Sequence, residues 1–212
     1  MKLLFLLFGL VPMLLFAQSD STKLTAKFRF KDGIYWSAAD LKANKPNLVS
    51  ADLTKNAAVT DNVIQMAADP KNTDLRTAWC IVKSGVPYLQ HRTDTLRKDL
   101  QTFYKLQLQG KICYFSYSKT EMKQVPMNVF DPQSGRLIYT SYIQNREKTN
   151  YRFITRLSDG AIVPLTQKNL AAWTAEDKKF GATIADLNAD DDIRLVKSVG
   201  IYNDRNAAWV KK

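Results

Sequence analysis

One histidine, two cysteines and three glutamates are all that the 212 residues hold of those types, and each scarcity removes a class of chemistry. His91 alone builds no paired-histidine metal motif, and most arrangements of a nucleophile with an imidazole base disappear with it. It stands between Gln90 and Arg92 at the expected end of a strand, where an ordinary surface or hydrogen-bonded histidine suffices. Cys80 and Cys113 fall short of the four close-spaced ligands of a zinc site. No P-loop, dinucleotide-binding glycine pattern or nucleophile elbow occurs, so neither a cofactor nor a metal is expected. Seventeen Asp and three Glu leave carboxylate pairs available for hydrolysis, but no motif nominates one.

Long apolar runs are scarce too, and the one that exists is informative. Leu3 to Ala17 carries no charge and follows the positive start Met1-Lys2, the pattern of a cleavable signal peptide. Fifteen residues are too few for a bilayer, which takes about 20. Leu15 and Ala17 suit the minus-three and minus-one positions of a cleavage site before Gln18, and no cysteine follows for lipidation. The expectation is therefore a signal peptide over 1–17, export to the periplasm or the extracellular space, and no transmembrane anchor after cleavage.

Residues 18–212 then suit a single α+β domain, with a β-rich centre over 77–165 and a helical end over 166–212. An oxidising compartment permits a Cys80–Cys113 disulfide, worth about 3.5 to 4 kcal/mol by loop closure. Two buried free thiols acting as small apolar side chains are the equal alternative.

Within the chain, Phe28 and Phe30 alternate with Lys27, Arg29 and Lys31 as on a half-buried strand. Ser37 then caps a short helix that ends before Pro46. The Asn- and Asp-rich stretch 47–74 reads as loop with a short element near Val63–Met66. From Thr77 to Leu157 the pattern is a meander of hairpins: Ser84-Gly85, Gln109-Gly110 and Asp131-Pro132-Gln133-Ser134-Gly135 each separate two alternating segments, with glycine supplying a positive φ. Tyr151–Leu157 adds a strand that Asp159-Gly160 turns into Ile162–Leu165. Thr174 and Asp177 have capping-box spacing before Phe180, Ile184 and Leu187, and Asp190 starts a second helix carrying Ile193, Val196 and Tyr202. The fold class is thus α+β, an antiparallel β-sheet with C-terminal helices.

Asp186, Asn188 and Asp190 have the spacing that opens a calcium loop, but Asp191 stands where glycine is needed and Lys197 where the closing Glu is needed. These aspartates fit a helix start better. Positive charge concentrates elsewhere. Residues 77–158 hold 13 basic and 5 acidic side chains and 12 aromatic ones. Lys105, Arg152 and Arg156 fall opposite apolar partners on expected strands and should share one solvated side of the sheet, a face for anionic ligands such as acidic glycans or lipopolysaccharide phosphates. The alternative is a solvated face whose charges discourage edge pairing.

The phrase from Phe28 to Pro46, containing Gly33-Ile34-Tyr35 and Asn44-Lys45-Pro46, resembles the opening of uncharacterised exported proteins of Bacteroidota-type bacteria. Gly110-Lys-Ile-Cys-Tyr-Phe and Tyr202-Asn203 are similar to that group as well. The resemblance implies a Gram-negative envelope setting and no activity. The functional expectation is a non-catalytic binding protein for an anionic envelope polymer, a surface or another envelope protein. Its rival is an extracytoplasmic hydrolase assembled from scattered Asp, Tyr and Arg. Export takes the chain away from nucleic acid.

Overall fold

A computed structural model describes residues 20–49, 57–67, 74–91, 100–188 and 191–212. The segment 1–17, expected as a signal peptide, lies outside them. Six strands form one antiparallel sheet in the order β2-β5-β6-β7-β4-β3: β2 Gly33–Tyr35, β3 Ala57–Val59, β4 Val63–Ala67, β5 Cys80–Lys83, β6 Val86–Gln90 and β7 Leu100–Lys105. β1 Ser21–Lys23 pairs separately with the last strand, β11 Trp209–Lys211.

The Phe28–Pro46 phrase works as one structural unit. Phe28 and Phe30 do not enter a strand; their rings meet edge to face at 4.8 Å, and the six-stranded sheet begins at Gly33. Gly33 has φ +148°, and a Cβ there would stand 2.5 Å from the carbonyl of Leu48, so only glycine fits. Ser37 caps α1 Ala38–Lys42 by accepting from the Asp40 N–H. Asn44, buried and left-handed at φ +49°, accepts from the Lys31 N–H at 2.8 Å through Oδ1. Asp32 reaches across to the β5–β6 turn, where its carboxylate accepts from the backbone of Ser84 and Gly85.

The expected Gln109-Gly110 hairpin is corrected by the structure. β7 and β8 Ile112–Phe130 belong to different sheets, and the segments on either side of Gly110 are joined by one isolated bridge, Leu108–Tyr114, and by hydrogen bonds of Gln107 rather than by a ladder. Gly110 is not at positive φ either; a Cβ there would lie 2.2 Å from the Asn203 side chain, so glycine serves close approach rather than a turn. β8 pairs along its length with β9 Leu137–Arg156, and β10 Ile162–Pro164 joins β9 only at Phe153–Thr155. The strand expected at Tyr151 is the continuation of the one that begins at Leu137.

Period two sorts the core into layers. Cys80, Val82, Leu89 and Tyr104 face Cys113 and Phe115 across the gap between the sheets. Their neighbours Ile81, Tyr88 and Phe103 point the other way, against Leu75 of α2 Asp74–Thr77 and Ala78 just beyond it. On the far side of the second sheet, Ile112, Tyr114 and Ile154 receive α3 Gln167–Trp173, α4 Lys178–Ala185 and α5 Asp192–Arg205 through Leu170, Phe180, Ile184, Leu195 and Val199.

Thr174 and Asp177 do not share one helix start. Thr174 closes α3, its hydroxyl donating to the Leu170 carbonyl, while Asp177 caps α4. Thr166 and Asn169 supply the start of α3, an element beyond the two helices expected from spacing. Asp191 caps α5, accepting from the Arg194 N–H, and Asp190 lies outside the described residues. The architecture is α+β, an antiparallel β-structure with helices in its C-terminal part. No helix among the described residues is long and apolar enough to cross a membrane.

Candidate functional site

The Asp131–Gly135 turn sets the geometry of the most exposed feature of the molecule. Asp131 Oδ1 accepts from the backbone N–H of Gln133, Pro132 fits the turn's φ requirement, and Gly135 closes it at φ +65°. From this turn β8 and β9 run back as a two-stranded ribbon, leaving about 40 Å of strand between Phe130 and Ser118 before the body is reached. Among the described residues no third strand flanks this distal part, since β10 pairs only near the root and β8 is an edge. Pro126 is tolerated there because an edge strand needs no donor on its outer side.

Cross-strand partners share a face, so the register divides the ribbon into two surfaces. The odd-numbered face of β8 begins at the root with Phe115 and Phe153, continues through Tyr117 and Tyr151, and crosses a charged collar of Lys119, Glu121, Lys123 and Glu147. It ends in an apolar stretch made by Val125, Ile143, Met127, Val129 and Tyr139, interrupted only by Ser141. The even-numbered face carries Ile112, Tyr114 and Ile154 under the helices. Further out come Lys148, then Arg146 beside Met122, Tyr142 beside Pro126 and the hydrogen-bonded pair Thr140 and Asn128, with Phe130 and Leu137 at the end. Nine large hydrophobic side chains of the arm are exposed, from Val125 at 39% to Tyr142 at 65%. Water meets apolar side chains here without a covering layer.

At the root of the odd face the rings form a row. Tyr104 stacks on Tyr117 at 4.4 Å, Tyr117 on Tyr151 at 5.2 Å, and His91 lies 4.3 Å from Phe153. Burial lowers the His91 pKa and pushes the Tyr117 hydroxyl up to about 12. Tyr151 donates to Glu121 at 2.7 Å, tying the row to the charged collar. His91 is thus a ring among rings.

The three basic residues expected on one solvated side are not brought together. Lys105 ends β7 in the six-stranded sheet, opposite Tyr88. Arg152 and Arg156 do share the even face of β9, but that face is the one the helices cover. Arg152 pairs with Asp192 of α5, and Arg156 pairs with Asp159 while lying 4.5 Å over the Trp173 ring. The alternation holds for one sheet; it carries no information on which strands belong to it or what covers it. Arg152 also borders an open depression of about 480 Å³ with Asn188, Asp191, Asp192 and Ile193.

Cys80 and Cys113 are both buried and both free, so the disulfide alternative is not the one the structure adopts. Burial pushes the Cys113 thiol up to about 11 and raises the Cys80 thiol as well, the direction that keeps both neutral. Asp186 ends α4 and Asp191 pairs with Arg194, and among the described residues no cluster of His, Cys, Asp or Glu is arranged to hold a metal. The arm escapes sequence reasoning because alternating apolar residues look the same on a covered strand and a bare one. The sequence signal that points to it is the alternation itself continuing through Val125–Phe130 and Leu137–Ile143 on both sides of the Asp131–Gly135 turn.

Comparison with known protein families, curated proteins and solved structures finds no match.

Proposed function

We propose that the chain is an exported, non-catalytic binding protein of a Gram-negative-type envelope, cleaved after Ala17, that docks through its β8–β9 arm. One observation carries this reading: nine large hydrophobic side chains stand exposed on a ribbon that no other element among the described residues covers. An isolated two-stranded hairpin is marginal in water, and extended apolar surface on a protein marks a place where something binds. The uncharged run from Leu3 to Ala17 supports export.

No carboxyl with a resolved shift among the described residues is displaced upward. Asp131, Asp159 and Glu176 are all held below the usual carboxylate range, by backbone and side-chain hydrogen bonds and by the cations Arg156 and Lys111. A general acid needs the opposite displacement.

A second reading, an anionic glycan or lipopolysaccharide as ligand, draws on Arg146 and Lys148. They sit on the even face of the arm and have no carboxylate partner among the described residues. One binding experiment separates the two. Protein starting at Gln18 is added to isolated envelope fractions across a salt series, beside a Tyr139→Ser/Tyr142→Ser/Ile143→Ser variant and an Arg146→Ser/Lys148→Ser variant. The arm reading expects the first variant to lose retention about tenfold or more while its melting temperature holds, with little response to salt. Equal retention of that variant and the parent refutes it. Loss caused by salt and by the second variant alone favours the anionic polymer.

A further inference from the structure

The arm's odd face is self-complementary. We propose that two copies of this chain pair through it, arms antiparallel, with the two-fold axis at the level of Met127 and Ser141. This rests on the arm being the docking element and adds the identity of its partner.

The register decides the matching. An antiparallel face-to-face pair with a two-fold at Met127 sets residue 127+n of β8 over residue 127−n of the other copy. Val129 then covers Val125 of the second arm, and Met127 covers its own counterpart. On β9, Ser141 lies on the axis and Tyr139 covers Ile143. Every exposed apolar group of the odd face thereby meets another. The ends match as well. The turn residue Asp131 reaches the level of Lys123 in the other copy. Arg136, whose carbonyl accepts from the Asp131 N–H at 2.7 Å, reaches the level of Asn145 with Glu147 one step beyond. Lys123 and Glu147 already form a 2.8 Å pair on this face, so each turn brings an anion to a cation and a cation to an anion. Shifting the axis two residues toward the body sets Lys119 over Asp131 but strands Val129 opposite Glu121, and the apolar matching is lost.

The even face lacks this property. Its apolar residues are split by polar rows: Pro126 and Tyr142 lie between Gln124–Gln144 and Asn128–Thr140, and a two-fold at their level sets Leu137 over Arg146. A lipid surface is the poorer occupant because the apolar stretch is closed at its outer end by Asp131 and Arg136, both of which would have to enter ahead of it. A second copy instead uses those two charges as contacts.

The test is residue-specific crosslinking of the protein beginning at Gln18, combined with sedimentation. The native thiols are buried, so a cysteine placed on the arm is the reactive one. Met127→Cys, on the axis, should give a covalent dimer with a short bismaleimide, which alkylates one thiol at each end and spans the roughly 10 Å between two packed sheets, at on the order of 10 µM protein. Asn128→Cys, one residue along on the even face, should give no covalent dimer. Sedimentation equilibrium should show the parent as a dimer that Val125→Glu converts to monomer, with circular dichroism confirming that the variant stays folded. A parent that sediments as a monomer at every concentration, or crosslinking at Asn128 equal to that at Met127, overturns the proposal. If the parent is monomeric yet floats with phosphatidylcholine–phosphatidylglycerol vesicles and Val125→Glu does not, the occupant is lipid. If it is monomeric and the arm variants still lose envelope retention, the arm docks on a different protein; in both cases the pairing of copies falls while docking through the arm stands.

Discussion

Asn203 grips both backbone groups of Ile112. Its Nδ2 donates to the Ile112 carbonyl at 2.7 Å, and its Oδ1 accepts from the Ile112 N–H at 3.0 Å. The amide takes the place a neighbouring strand would occupy at the start of β8, and it ties α5 to the root of the arm across 91 residues of sequence. Gly110 makes the room for it.

Removing that amide leaves a partly buried strand edge unpaired. Asn203→Ala should cost about 1 to 3 kcal/mol, read as a lower urea midpoint. Gly110→Ala should destabilise too, because its methyl would collide with the Asn203 side chain. Combined with Asn203→Ala, most of the Gly110→Ala penalty should vanish. Additive penalties in that double-mutant cycle would show that the two positions do not share a space.

Gly135 offers a cleaner backbone test. It lies at φ +65° with nothing within 4 Å of the position of an added Cβ, so a substitution there meets strain and no clash. Gly135→Val should cost on the order of 1 kcal/mol, and Gly135→Asn less, since Asn tolerates the left-handed region. Coincident melts for Val and parent would contradict the turn geometry.

Three turns of this fold are legible in the amino-acid sequence because their chemistry is local. Ser84-Gly85, Asp131 to Gly135 and Asp159-Gly160 each place a positive-φ glycine where the chain reverses. Gln109-Gly110 has the same signature and differs because of a distant residue, Asn203, packed against the glycine. Thr174 and Asp177 likewise have the spacing of one capping box and serve two helices, since spacing alone does not record that α3 ends between them. Which strands share a sheet is not legible either, and alternation therefore groups Lys105 with Arg152 and Arg156. The exposed arm is hidden for a related reason: alternation specifies a face, not what lies upon it.

Arg156 is expected to matter to stability more than to binding. It lies over Trp173 and beside Asp159, joining the end of β9 to α3. Arg156→Ser should lower stability by about 1 kcal/mol, chiefly through the lost ring contact, because the Asp159 pair is partly exposed and screened. Measurable loss of ligand retention with unchanged stability would return Arg156 to a binding role.

His91 gives the fold a pH dependence whose sign follows from its surroundings. Burial among Phe115, Tyr117 and Phe153 lowers its folded-state pKa below the ordinary value near 6.5. The unfolded chain therefore takes up the proton first, and stability present above pH 6.5 falls as the pH drops through the folded pKa. Urea midpoints compared at pH 7.5 and 5.5 should show a loss that His91→Gln reduces. An equal loss in parent and variant would assign the acid sensitivity to other groups.

Hydrogen exchange followed by mass spectrometry tests the central claim, docking through the arm, most directly. The protein beginning at Gln18 is compared when dilute and free and when associated, whether with itself or on envelope fractions. Residues 122–130 and 137–146 should exchange quickly when free and become protected on association, while 80–90 and 192–205 stay unchanged. Protection that appears in the body or the helices and leaves the arm as exposed as before would contradict docking through the arm.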